Sequence, residues 1–434
     1  MNIPLSRPNP FLQNKVNFIV TLGAVATTVI SWYNINSVLI IAMVLCRLID
    51  GGPVRAIKAA FTNKYFLAYL ALFLVGAAGV FYTHDAVRQG RSMEKEATMV
   101  AVAFTLCGGY FADERNYKQF MTAYAGVLFL ACSYCLIKAA LLYESMPVKD
   151  YTVFFYHSLT TRIGQNAVFF TVYMIFGLLF LLSHPMQMGR TPNRIRRGIQ
   201  IFLILFFIGV IILLSSKLLL VVLLLILLSL ILQRFIVRKN YMAILGVVVA
   251  GLLLGGWLGF TNNFIRDRYL DLERGDLSVV NREKFLPFTE FNGATLRLLQ
   301  WRFANEIIQE HHSWVFGVSP GDAQDLLNDK YKKSDIYVGT PNTKARGFLD
   351  YNFHNQYIET TVRSGFVGLA ALLVVCFLMI VLCEKWRTAE TAFMALTLLS
   401  ICTVESLITL QHGVFAFVFM PLMLLSSPSK GRVR

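Results

Sequence analysis

The sequence predicts an all-α polytopic membrane protein: about twelve spanning helices and one large, mostly helical loop on the outer side. Three observations carry this. The 434-residue chain is 56% hydrophobic, yet only 15% of it is Asp, Glu, Lys or Arg, where soluble proteins carry about 25%. Its apolar residues are gathered in long blocks such as Ile199–Leu214 and Leu218–Leu232. One polar segment, Thr261–Arg363, stands between them and holds most of the acidic residues. An ordinary soluble enzyme, a disordered chain and a fibrous repeat are excluded.

A helix needs about 20 apolar residues to cross the hydrocarbon core. Blocks of that kind fall at 16–32, 35–50, 65–83, 97–112, 119–143, 163–183, 198–216, 218–233 and 242–260. Three more follow the polar segment, at 364–383, 389–408 and 412–427. Ser215-Ser216-Lys217 is the expected turn between the seventh and eighth. The chain thus divides into residues 1–260 with nine helices, a loop over 261–363, and residues 364–434 with the last three.

Lys and Arg placement orients the bundle. With the N-terminus inside, the inner gaps hold Arg47, Arg55, Lys58 and Lys64, then Arg115 and Lys118, then Arg190, Arg194, Arg196 and Arg197. Arg234, Arg238 and Lys239 follow, then Lys385 and Arg387, and the tail ends Lys430, Arg432, Arg434. Both termini are therefore expected inside, and the large loop outside. The net charge of +15 reads as inner-leaflet anchoring rather than nucleic-acid binding. Arg88, Arg91 and Lys95 in the outer gap Thr83–Glu96 are the exception. The N-terminal Met1–Asn14 shows no cleavable signal pattern. Seven Cys lie inside or beside apolar blocks, so no disulfide framework or zinc site is expected, and Cys132-Ser-Tyr-Cys135 reads as packing.

The large loop is rich in aromatics and should fold. A charged helical run, Phe264–Arg274, opens it. Gly293–Glu310 places Leu296, Leu299, Phe303 and Ile307 at helical spacing. Phe316–Gly321 reads as a turn, and Asp322–Tyr331 as a further helix. His354 stands at the junction of this loop with the tenth span, where it could cap the helix or act as a base. No second His is spaced to make a metal pair, and no P-loop, GxSxG elbow or Asp-rich motif is present. Lys217, Arg297, Arg162 and Arg88 are cations near the outer surface; each could snorkel, or several could grip a phosphate or pyrophosphate. Glu405, placed inside the eleventh span, reads as a helix–helix hydrogen bond or a functional carboxylate.

At these residues the chain resembles the O-antigen ligases of the bacterial O-antigen ligase/polymerase superfamily. His354-Asn355, nine residues Gln356–Ser364, then Gly365, two residues and Gly368 meet every position of the ligase pattern. Arg297 four residues before Trp301, followed by Phe316-Gly-Val-Ser-Pro-Gly321, resembles the superfamily's loop. Arg162 before Gly164 and Asn166 resembles another of its features. One departure is Ser215-Ser216-Lys217, where the family usually carries an Arg; the charge is kept and the bidentate fork is not.

The resemblance implies a GT-C-like membrane glycosyltransferase of the bacterial inner membrane, with its site facing the periplasm. It would move a glycan from undecaprenyl pyrophosphate to a sugar hydroxyl of lipid A–core, with no cofactor, metal or ATP. His354 would be the general base, since imidazole titrates near neutrality. Arg297 and Lys217, with Arg162 and Arg88, would hold the pyrophosphate. Asn355, Gly365, Gly368 and Trp301 would support the motif. Arg88, Arg91 and Lys95 could also meet the acceptor's phosphates. An O-antigen polymerase or protein O-oligosaccharyltransferase would use the same donor on another acceptor. A flippase is the alternative without chemistry, although paired broken helices are lacking.

Overall fold

Inside a bilayer the backbone has no water to bond, so a crossing segment must satisfy its own N–H and C=O groups as a helix. Each expected span that falls on described residues is helical over most of its length. The computed structural model describes residues 10–107, 114–188, 192–237, 276–286, 289–340, 347–386 and 389–426, with isolated residues 242, 266 and 270. Among the described residues there is no strand. The helices are α1 (Pro10–Val29), α2 (Tyr33–Gly51), α3 (Pro53–Phe61), α4 (Lys64–Ala77), α5 (Ala86–Leu106), α6 (Glu114–Ser145), α7 (Tyr156–Thr160) and α8 (Ala167–Ser183). They continue as α9 (Asn193–Leu214), α10 (Lys217–Val237), α11 (Gly293–Glu310), α12 (Ala323–Lys333), α13 (Gln356–Trp386), α14 (Ala389–Ile401) and α15 (Gln411–Ser426).

Five described helices are long and apolar enough to cross a membrane, or six when the bent pair Tyr156–Ile163 and Ala167–Ser183 counts as one span. Shorter apolar helices lie at Lys15–Val29, Lys217–Gln233, Ala389–Ile401 and Gln411–Leu424. This is a multi-pass membrane protein. The expected ninth span (242–260), most of the run Phe264–Arg274, the basic tail and the first nine residues lie outside the described residues.

Several expected boundaries move. The fourth helix begins at Ala86 rather than 97, so the outer gap with Arg88, Arg91 and Lys95 is mostly helical. The tenth begins at Gln356 rather than 364. The eleventh stops at Ile401, which leaves Glu405 in a break rather than inside a helix. The turn at Ser215–Lys217 forms as expected: α9 ends at Leu214 and Ser215 turns left-handed at φ 40.

Helices α8 and α15 form the buried axis. Ala167 to Leu181 is buried all round, as is Val414 to Leu424; a helix apolar on every face belongs in a core. Pro421 inside α15 has no N–H for the carbonyl of Phe417, and the Tyr69 hydroxyl donates to that oxygen at 3.0 Å. Tyr173 donates to the His412 carbonyl and Tyr124 to that of Tyr173, each at 2.8 Å.

The large loop has a core of its own. Leu299, Phe303 and Ile307 of α11 pack with Leu327 and Tyr331 of α12 and with Phe353 and Val362. Three devices tie it to the bundle. The Asp322 carboxylate accepts from the backbone N–H of His84 and Asp85 at 3.0 Å. Arg363 and Glu96, both nearly dry, form an ion pair at 2.6 Å. The segment 314–319 runs against a break in α13, where Gly365 has φ 63 and ψ −163. There Phe366 N–H donates to Trp314 O at 2.8 Å and Val318 N–H to Val362 O at 2.8 Å.

Candidate active site

The N-terminal half of α11 is set by Asn292, whose side-chain oxygen accepts from Ala294 and Thr295 N–H at 2.9 Å. Arg297 and Trp301 follow one turn apart and share a face. Trp301 donates its indole N–H to the Phe353 carbonyl at 3.0 Å, fixing the residue before His354. Arg297 donates to Gly293 O at 2.7 Å, to Val404 O at 3.1 Å and to the Glu405 carboxylate at 3.1 Å.

His354 is held by its backbone. Its N–H donates to the Asn352 side chain at 2.9 Å, and its φ is 48, a left-handed conformation that costs a β-carbon-bearing residue about 1–2 kcal/mol. Such strain, held by its surroundings, is a mark of functional positions. Asn355 then caps α13: its side-chain oxygen accepts from Tyr357 and Ile358 N–H at 2.9 and 3.1 Å. Its amide donates to Thr403 O at 3.2 Å. Glu359, buried, accepts from Phe353 N–H and the Ser406 hydroxyl at 3.2 Å. The break between α14 and α15 is thereby stitched to the start of α13, which carries Glu405 to His354.

The His354 Nδ1 lies 3.2 Å from Glu405 Oε2. A carboxylate only accepts, so Nδ1 donates in this contact; in the neutral ring that leaves the lone pair on Nε2. Burial raises the Glu405 carboxyl, but the contacts with His354 and Arg297 outweigh it and hold the group below its ordinary value. Glu405 is thus a charged link between the imidazole and the guanidinium, 8% exposed against 23% for His354.

A cavity of about 650 Å³ adjoins this link. Lys217, Arg297, Trp301 and Glu405 line it, with Tyr156, Leu218 and Val221 as apolar wall. Lys217 is the first residue of α10. A cation there opposes the helix dipole by about 0.3–1 kcal/mol, and an anion in the cavity would relieve that cost. His354 does not line the cavity; it meets it through Glu405.

The structure therefore brings His354, Asn355, Trp301, Arg297 and Lys217 to one place. It puts Arg162 in a different cavity. Arg88 is 2.6 Å from Asp325, in the clamp between α5 and α12. Gly365 and Gly368 serve the break: a β-carbon on Gly365 would lie 2.1 Å from Val315 O, and one on Gly368 would lie 2.4 Å from Ser364 Cβ. Glu405 is the residue the sequence placed wrongly. Its signal was the run Cys402-Thr-Val-Glu-Ser406 followed by Gln411-His412, too polar for a spanning helix.

Residues 201–373 match the family model described as O-antigen ligase. Over that stretch the chain is similar to the O-antigen ligase/polymerase superfamily. The superfamily match covers Lys217, Arg297, Trp301, His354, Asn355, Gly365 and Gly368, and it stops before Glu405. No curated protein matches the chain.

Proposed function

We propose that the protein is an O-antigen ligase with a GT-C-like arrangement, acting at the periplasmic face of the bacterial inner membrane. It transfers a glycan from undecaprenyl pyrophosphate to a sugar hydroxyl of lipid A–core. His354 Nε2 takes the proton of the acceptor hydroxyl. The hydroxyl oxygen attacks the anomeric carbon of the donor, the bond from that carbon to the phosphate oxygen breaks, and undecaprenyl pyrophosphate leaves with the electron pair. A single displacement inverts the anomeric centre. Glu405 stabilises the imidazolium that forms, and Arg297 and Lys217 neutralise the leaving pyrophosphate. The donor is already activated, so the chemistry calls for neither ATP nor a metal.

The observation that carries this reading is the chain of contacts from His354 through Glu405 to Arg297, beside a cavity that also holds Lys217. A base and an anion grip are adjacent, and the cavity's apolar wall suits a prenyl chain. The test is transfer by membranes carrying wild type or His354→Ala, given the lipid-linked donor and lipid A–core with chelator and no ATP. Loss of transfer in the variant alone is expected. Survival of transfer would end the role of His354. Polymerised glycan, with no ligation by wild type, would assign the site to a polymerase.

A further inference from the structure

A second cavity, of about 740 Å³, shares no lining residue with the candidate active site. That volume lies within the range of small-molecule sites, about 300–1,000 Å³. Its long wall is one face of α6, where Val127, Leu130 and Tyr134 recur at helical spacing. Trp32, in the turn between α1 and α2, faces them. Leu130 is 67% exposed, Trp32 58% and Tyr134 47%, so the slot opens on the surface of the helix bundle. Trp and Tyr rings of this kind gather where hydrocarbon meets headgroups.

Among the described residues, Arg162 is the cavity's only charged lining residue. It is exposed, and among the described residues it forms no ion pair. Its position is set by backbone instead. The short helical segment that carries it, Tyr156–Ile163, meets α8 at 81°. Gly164 makes the bend at φ 67, and Gln165 donates to the Thr28 carbonyl at 3.0 Å. A second cation, Lys138, stands one turn beyond Tyr134, its Nζ 5.8 Å from that ring's centroid. The slot thus has an apolar length, an aromatic belt and a fixed cation at the belt.

We propose that this cavity binds one anionic membrane lipid, with its phosphate on Arg162 and an acyl chain along α6. The site is separate from the glycan-transfer site and does not depend on the ligase reading. A planar guanidinium at the headgroup level grips a phosphate through two parallel N–H donors, and the apolar wall removes the chain from competing contacts. Neutral lipids would gain the wall without the charge.

The test is native mass spectrometry of the full chain, delipidated in detergent and titrated with phosphatidylglycerol, phosphatidylcholine or inorganic phosphate. Wild type is expected to retain one phosphatidylglycerol about tenfold more tightly than phosphatidylcholine. Arg162→Gln should lose that preference, and Val127→Trp, which fills the slot, should lose the lipid. Both variants should keep the wild-type melting temperature. Unchanged phosphatidylglycerol binding in Arg162→Gln, or in a folded Val127→Trp, would overturn the proposal. So would displacement of the lipid by inorganic phosphate alone, which would mark a plain anion site.

Discussion

Replacing Glu405 by Gln tests the proposed chemistry most directly. The carboxylate accepts two charge-assisted bonds, from His354 at 3.2 Å and from Arg297 at 3.1 Å. Gln keeps the volume but offers one acceptor oxygen and one donor amide. Whichever way it turns, one of the two bonds is lost and no negative charge remains. A hydrogen bond to a charged group contributes about 1.5–3 kcal/mol. If the stabilisation belongs to the imidazolium in the transition state, kcat falls roughly 10- to 150-fold, at about 1.4 kcal/mol per decade. The assay is transfer from lipid-linked donor to lipid A–core in proteoliposomes, with kcat and donor KM measured separately. The double variant with His354→Ala should be no slower than His354→Ala alone, because the two residues act as one unit. Wild-type kcat in a folded Glu405→Gln would refute the reasoning. So would additive losses in the double variant.

Four further outcomes are expected. Lys217→Ala raises donor KM about tenfold while Lys217→Arg restores it, one charge-assisted contact being about 1.4 kcal/mol or more; equal values in both variants would remove Lys217 from the anion grip. Arg363→Ala strands Glu96 in a dry site and costs about 3–5 kcal/mol, seen as a lower melting temperature, whereas Glu96→Gln with Arg363→Met recovers much of it. Gly365→Ala, whose β-carbon would meet Val315 O at 2.1 Å, should yield little folded protein, with a loss above about 3 kcal/mol. Asp322 is buried: burial raises its carboxyl, but bonds from His84, Asp85, Ser319 and Thr83 hold it below its ordinary value. Its contribution is therefore complete above the unfolded value near pH 4 and lost as pH falls through the lower folded value. Corrected hydrogen exchange of the His84–Gln89 amides should stay flat from pH 7 to about 5 and rise below about 4.

The helical bundle was legible because apolar blocks of membrane length have no other structure open to them. Helix α11 was legible for a related reason: Leu296, Leu299, Phe303 and Ile307 repeat at helical spacing and are all buried. His354, Arg297 and Lys217 were found as separate residues. What joins them was not visible, because Glu405 belongs to a segment 51 residues beyond His354 and looks from sequence like the end of a span. Arg88 and Arg363 show the same limit. One is a surface cation by sequence and the other a residue at a helix start, yet each is matched to a carboxylate distant in the chain. Arg162 reads as one more cation of the donor site until the bend at Gly164 puts it in another cavity. Hydropathy records which residues leave water and says little about which polar groups meet afterwards.

The break in α13 gives the spacing of the motif a meaning as a measured length. Asn355 starts the helix and Gly365 ends its first section, so Gln356–Ser364 is a rod of about 13 Å at 1.5 Å per residue. One end carries the imidazole and the other is hooked to the segment at Trp314. Adding or removing one residue would turn the hook by about 100° relative to His354. Apart from Glu359 and Arg363, whose partners fix them, it is the number of residues between that matters, and the rod works as a gauge that sets the distance between the two ends.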